Sequence, residues 1–136
     1  MKKTTTLLAS LLVSIILLSQ TPGIKWQRTI GGNDIEGIKF TVKTIDNAIL
    51  LVGATSSADG AFAANHGASD IWVEKLSIEG VTIWRKMLGG SGEEGLNAYY
   101  YNTDGSVVLM GYTESVDGDI TGNHGGLTGF FKYCCN

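Results

Sequence analysis

The chain has 136 residues, 43% apolar and 17% charged, which is enough apolar surface for a core and too much for disorder. Setting aside Lys2 and Lys3, 8 basic residues face 13 acidic ones with no Lys/Arg run, so nucleic acid is excluded as a partner. Nineteen glycines against one proline favour tight turns between short strands, because glycine costs about 1 kcal/mol in a helix interior.

The chain opens with Met1-Lys2-Lys3 and an apolar run, Leu7–Leu18, broken only by Ser10 and Ser14. Ser19-Gln20-Thr21-Pro22-Gly23 then turns polar. A charged start, about a dozen apolar residues and a small residue at the break describe a secretory signal peptide over residues 1–19, so the mature chain begins near Gln20. Spanning a bilayer takes ~20 apolar residues, so no integral membrane segment is expected after cleavage. The expected location is secreted or cell-surface.

After the leader, Trp26–Ile30 reads as a short strand ending at Gly31-Gly32. Ile38–Thr44 alternates apolar and polar residues, the period-two pattern of a half-buried strand. Asp46-Asn47 is a turn dipeptide, and Ile49–Val52 is a continuous apolar run expected to be a strand buried on both faces. A long loop, Ser56–Ser69, leads to a strand at Ile71–Leu76, and Glu79-Gly80 turns the chain back into Thr82–Leu88.

The same order then repeats. A shift of 58 residues aligns the mature chain with itself without a gap. It places Trp26 on Trp84, Gly31-Gly32 on Gly89-Gly90, Glu36-Gly37 on Glu94-Gly95, and Asp46 on Asp104. It also places Gly53, Thr55 and Ser57 on Gly111, Thr113 and Ser115, and Asp59-Gly60 on Asp117-Gly118. Asn65-His66-Gly67 falls on Asn123-His124-Gly125. Residues 20–136 therefore divide into units 24–81 and 82–136, each expected to supply four short antiparallel strands.

Four antiparallel strands per repeat is the composition of a propeller blade. The string W-x-x-x-x-G-G, T-x-D-G (Thr103–Gly105), G-x-T-x-S, D-G…N-H-G and D-x-W-x-x-K-L (Asp70–Leu76) resembles the Gly/Asp-rich β-propeller repeats of secreted and surface proteins of Gram-negative bacteria. The resemblance implies an all-β fold of two tandem four-stranded blade-like repeats, a fragment of a larger β-propeller completed by missing blades or other chains. It implies a scaffold or a binding module for a glycan or protein, and no enzyme. A truncated glycosidase or lyase of the propeller type and a purely structural repeat are the alternatives. The second copy departs from the pattern at its end, where Thr128-Gly129-Phe130-Phe131-Lys132-Tyr133-Cys134 replaces Asp70–Leu76.

Candidate binding residues cluster in the duplicated loop: Asp59, Asn65 and His66, and their partners Asp117, Asp119, Asn123 and His124. Each His is expected to pin a Gly-rich turn, since no second His or Cys nearby completes a zinc set. Asp117, Asp119 and Asn123 space oxygens as a calcium loop would, but Ala61 replaces Asp119 in the first copy, so Asx-turns are the preferred reading and no cofactor is expected. Glu93-Glu94 is expected in a solvated loop, and no catalytic motif is present. Cys134-Cys135 cannot readily bridge each other; in an oxidising compartment free thiols tend to pair between chains, and the alternative, which is preferred, is that the pair belongs to an atypical terminus with no role. Trp26, Trp72 and Trp84 are expected to pack between blades, with Arg85 pointing the other way and contributing little.

Overall fold

The computed structural model describes residues 22–134. The expected signal peptide over residues 1–19 and Cys135 lie outside the described residues, as do the side chains of Phe131, Tyr133 and Cys134.

Every segment with strand alternation after Gly32 forms a strand. β1 (Glu36–Lys43), β2 (Ile49–Thr55), β3 (Asp70–Leu76) and β4 (Thr82–Leu88) build an antiparallel sheet in the order β1-β2-β3-β4. β5 (Glu94–Tyr101), β6 (Val107–Thr113) and β7 (Thr128–Cys134) build a second, in the order β5-β6-β7. The fold is all-β. The Asp46-Asn47 turn closes with Thr44 N–H donating to Ala48 O at 2.9 Å, and Asn47 takes the left-handed conformation that Asn tolerates. The turn at residues 102–106 repeats that closure, Asn102 N–H to Ser106 O at 2.9 Å.

The duplication holds at the level of register. Glu36 sits opposite Thr55 and Glu94 opposite Thr113. A register shift at Ile38/Phe40 recurs at Leu96/Ala98, 58 residues on. The long loop after β2 carries one 3₁₀ turn, Gly60–Phe62, which buries Phe62 against Trp72 and Met87. Ile120 takes the equivalent position in the second copy and is likewise buried.

Two expectations change. The second sheet has three strands among the described residues, not four. Trp26–Ile30, expected as a strand, carries no strand pairing. Its string matches that of β4, but β4 has β3 beside it, and among the described residues no strand pairs with residues 26–30. The sheets are also out of phase with the sequence units: β4 opens the second unit yet completes the first sheet.

The two sheets stack through unlike faces. The first contributes Phe40, Val42, Leu50, Val52, Ile71, Val73, Trp84 and Leu88 to the shared core; the second contributes Leu96, Tyr99, Tyr101, Val107, Leu109 and Phe130. Phe40 and Tyr99 meet across it with ring centroids 4.4 Å apart. The repeat offset carries Leu50 onto Val108 and Leu51 onto Leu109. Strand side chains alternate between faces, so the core-facing side of the second sheet is the counterpart of the outer side of the first. The arrangement is head to tail.

Candidate functional site

The polar residues shared by the two copies gather at one end of each sheet, around the Gly-Gly turn. In the second copy Gly90 N–H donates to Glu94 Oε2 at 3.0 Å and the Thr113 hydroxyl to Glu94 Oε1 at 2.6 Å. Ser115 N–H donates to Thr113 Oγ1 at 2.9 Å, Gly92 N–H to Ser115 Oγ at 2.8 Å, and Ser91 N–H to Asp117 Oδ1 at 2.7 Å. The first copy repeats the network. Thr55 Oγ1 donates to Glu36 Oε1 at 3.2 Å, Ser57 N–H to Thr55 Oγ1 at 3.0 Å, Asp34 N–H to Ser57 Oγ at 2.8 Å, and Asn33 N–H to Asp59 Oδ1 at 2.9 Å. The Ser57 hydroxyl also donates to Glu36.

These bonds set the charges. The Ser57 hydroxyl, more than the Gly32 amide and Thr55, holds the Glu36 carboxyl below the usual carboxylate range against the opposing effect of burial. The Ser91 amide and side chain do the same for Asp117, with the His66 ring adding a small attraction. Gly118 has φ 74 and passes against Gly89 O, a close approach that excludes a side chain.

Asn65-His66-Gly67 of the first copy docks on this network in the second. Ala68 N–H donates to Gly92 O at 2.9 Å, and Glu94 N–H to Ser69 O at 2.7 Å. His66 turns inward to Asp70: its backbone N–H lies 2.8 Å and its Nδ1 3.1 Å from Asp70 Oδ2. Asp70 is fully buried and its Oδ1 has no partner. Burial pushes its carboxyl up, Glu94 pushes it further, and the His66 amide and ring oppose the rise.

No protein-family model, curated protein or solved structure matches the chain. The site therefore has to be read from its own geometry.

That geometry brings Asp59 and Asp117 onto equivalent turns and uses both on backbone amides. Asn123 Nδ2 donates to Ser115 O at 2.9 Å and to Gly126 O at 3.2 Å, while its Oδ1 accepts Gly125 N–H and the Thr128 hydroxyl. Asn65 Oδ1 accepts Gly67 N–H at 3.4 Å. Asp119 is placed through its backbone, donating to Gly89 O at 2.9 Å and accepting Lys132 Nζ at 2.9 Å. His124 lies on the surface, and where the first copy has Asp70 beside the His, the second has Thr128. Among the described residues no three His, Cys, Asp or Glu side chains converge on a metal position. No helix among them is long and apolar enough to cross a membrane.

Glu93-Glu94 is not a solvated pair. Glu93 is exposed and accepts the Tyr112 hydroxyl at 2.9 Å, which raises the Tyr112 pKa. Glu94 opens β5, is 1% exposed, and holds the Gly-Gly turn. Adjacent strand residues face opposite ways, and one of those ways is the core. Sequence reasoning also missed a buried charge cluster on the outer face of the first sheet. Fully buried Glu74 receives Arg28 at 3.1 Å, Arg85 at 3.0 Å and the Thr82 hydroxyl at 2.6 Å, all on Oε1. Arg85 does point away from Trp84, but it donates to Ala61 O and lies 5.4 Å from the Phe62 ring centroid. Alternation could have placed Glu74 beside Arg85; nothing local announced that Glu74 would be fully buried.

Proposed function

We propose that the chain is an exported, non-catalytic repeat scaffold of the β-propeller type, in which the shared motif is the fastening of each blade-like unit. One observation carries this reading: Thr55, Ser57 and Asp59 make the same turn-closing hydrogen bonds in the first copy as Thr113, Ser115 and Asp117 make in the second. Asp59 and Asp117 are engaged by turn amides, and the carboxylates deepest in the cluster, Asp70 and Glu94, present no face to solvent. Glycan or protein ligands would meet the outer surface of these turns.

Thermal melts of Asp59→Ala and Asp117→Ala test it. Each removes an acceptor from a turn amide and should lower the melting temperature, by the same amount in the two copies. Variants that melt with the parent but lose glycan capture would transfer these residues to a binding site. Export is tested by N-terminal sequencing of secreted material, which should start near Gln20. Met1 retained on protein inside the cell would overturn it.

A further inference from the structure

Residues 26–30 occupy a place that the fold explains only if another sheet lies beyond it. Their Gly-Gly turn is fixed as that of β4 is: Asp59 receives the Asn33 amide as Asp117 receives the Ser91 amide, and Ala61 N–H reaches Gly31 O as Asp119 N–H reaches Gly89 O. From that turn, residues 26–30 cross the outer face of the first sheet. Trp26, Arg28 and Ile30 form one wall of an apolar groove of about 250 Å³ whose floor includes Ile38, Ile49 and Leu51. Shifted by 58 residues, that floor is Leu96, Val107 and Leu109, the residues the second sheet presents to the first. Trp84 packs against the core cluster to which those three belong, and Trp26 lines the groove with their counterparts. Residues 26–30 thus hold the position of a fourth strand whose other three strands are not among the described residues.

The second sheet lacks that strand. Among the described residues β7 has β6 on one side and nothing on the other. Its outer face is the counterpart of the face by which the first sheet enters the core, and there Tyr100 is 62% and Met110 38% exposed. The groove across the first sheet is its complement, with Ile38 53% exposed where Leu96 is buried.

We infer that this chain associates with a second copy of itself head to tail: the outer face of β5–β7 of one copy docks on the groove of the next, and residues 26–30 of that next copy pair with β7 as its fourth strand. The occupant follows from continuity with the interface inside the chain, which joins the same two kinds of face by the same strand order. The β3–β4 pairs Ile71–Leu88 and Lys75–Trp84 become Gly129–Ile30 and Tyr133–Trp26 between copies. Both surfaces occur on every copy and are not self-complementary, so the contact is heterologous and propagates until a ring closes. The inference rests on the stacking half of the scaffold reading and is independent of export and of the Asp59 and Asp117 melts.

Sedimentation velocity of the purified chain over a hundredfold concentration range reads the association, and hydrogen exchange reads the strand. Mass should rise with concentration, with amide protection appearing together at residues 26–30 and 128–134. Met110→Glu and Ile38→Glu should each weaken self-association at least tenfold while keeping the parent circular dichroism; Tyr100→Glu serves if Met110→Glu misfolds. Mixed in equal amounts, the two variants should form a dimer and stop, because one retains the groove and the other the docking face. A parent that stays monomeric at every concentration overturns the inference. So does association without protection at residues 26–30, or a mixture no larger than its separate components.

Discussion

Trp26–Ile30 and Trp84–Leu88 start from the same residue, run the same length and end in the same Gly-Gly turn, yet only the second is a strand. Trp84 lies in the core between sheets with β3 alongside. Trp26 is 38% exposed and donates its indole N–H to Ile78 O at 2.9 Å. Both segments are anchored identically at their C-terminal ends, so the difference arises from what stands next to them. Strand identity requires a hydrogen-bonding edge, and the local sequence cannot supply one.

The widest gap between equivalent positions is expected at Gly89 and Gly31. A Cβ on Gly89 would run into Asp70 Oδ1 and lie 2.6 Å from Glu94 Oε2, two buried carboxylates facing the same space. A Cβ on Gly31 would meet only the end of Glu36, at 3.2 Å. Gly89→Ala should cost more than ~3 kcal/mol, at the upper end for overpacking, and Gly31→Ala under ~1 kcal/mol. Urea melts of the pair check this, and equal costs would mean that the junction between copies is no tighter than the entry to the first.

The tryptophans come next. Trp84→Ala should cost about 3 kcal/mol through lost core packing, and Trp26→Ala about 1 kcal/mol through one exposed hydrogen bond and partial burial. In the associated protein the two values should converge, which sharpens the comparison. Parity in the dilute monomer would break it.

A smaller effect separates Arg85 from Arg28. Removing one partner of a buried charge costs ~3–5 kcal/mol when nothing else remains. Glu74 keeps the other arginine and Thr82, so Arg85→Ala should cost about 2 kcal/mol and Arg28→Ala, whose side chain is more exposed, about 1 kcal/mol. Thermal melts that rank Arg28 above Arg85 would place the stronger anchor of Glu74 on residues 26–30 instead of β4.

The smallest expected effect is a pH dependence. The raised Asp70 carboxyl favours the folded state while protonated, and that contribution is lost as pH rises through its folded pKa, above the ordinary 3.8. Glu36, Asp46 and Asp117 work the opposite way: their stabilisation is present above their ordinary values and is lost as pH falls through their lowered ones. Asp70→Asn should therefore compare most favourably with the parent at neutral pH, and its advantage should shrink on acidification. Melting curves from pH 7 down to pH 3 whose difference grows instead would show that Asp70 is stabilised as the carboxylate.

Much of this was legible in the chain itself. The alternation of Ile38–Thr44 and the Asp46-Asn47 turn depend on near neighbours and appear as β1 (Glu36–Lys43) and the turn after it, while the 58-residue period, a match between two stretches of the same string, recurs in the strand register. The candidate loop was located too, because rare residues recurring at one offset mark positions with a fixed task. Its task was less legible. Asp59, Asp117 and Asn123 carry ligand-type oxygens, and whether such an oxygen faces a ligand or its own backbone depends on the path of a Gly-rich loop.

Periodicity and turn chemistry are properties of near neighbours and duplication is a match within the linear string, so none of them needs a tertiary contact, and the all-β class and the repeat were determined by sequence alone. Burial depends on contacts between residues far apart in the chain, such as Arg28 and Glu74, 46 positions apart. Only the tertiary structure decided that Glu94 would be buried while Glu93 stayed in water, and that Arg28 and Arg85 would meet on one carboxylate. It also decided that two sheets of matching sequence would stack through opposite faces. Opposite faces follow from the repetition itself: a unit that follows its predecessor by a fixed rotation always offers its far side to the next, so among the described residues the groove on the first sheet and the outer face of the second are uncovered.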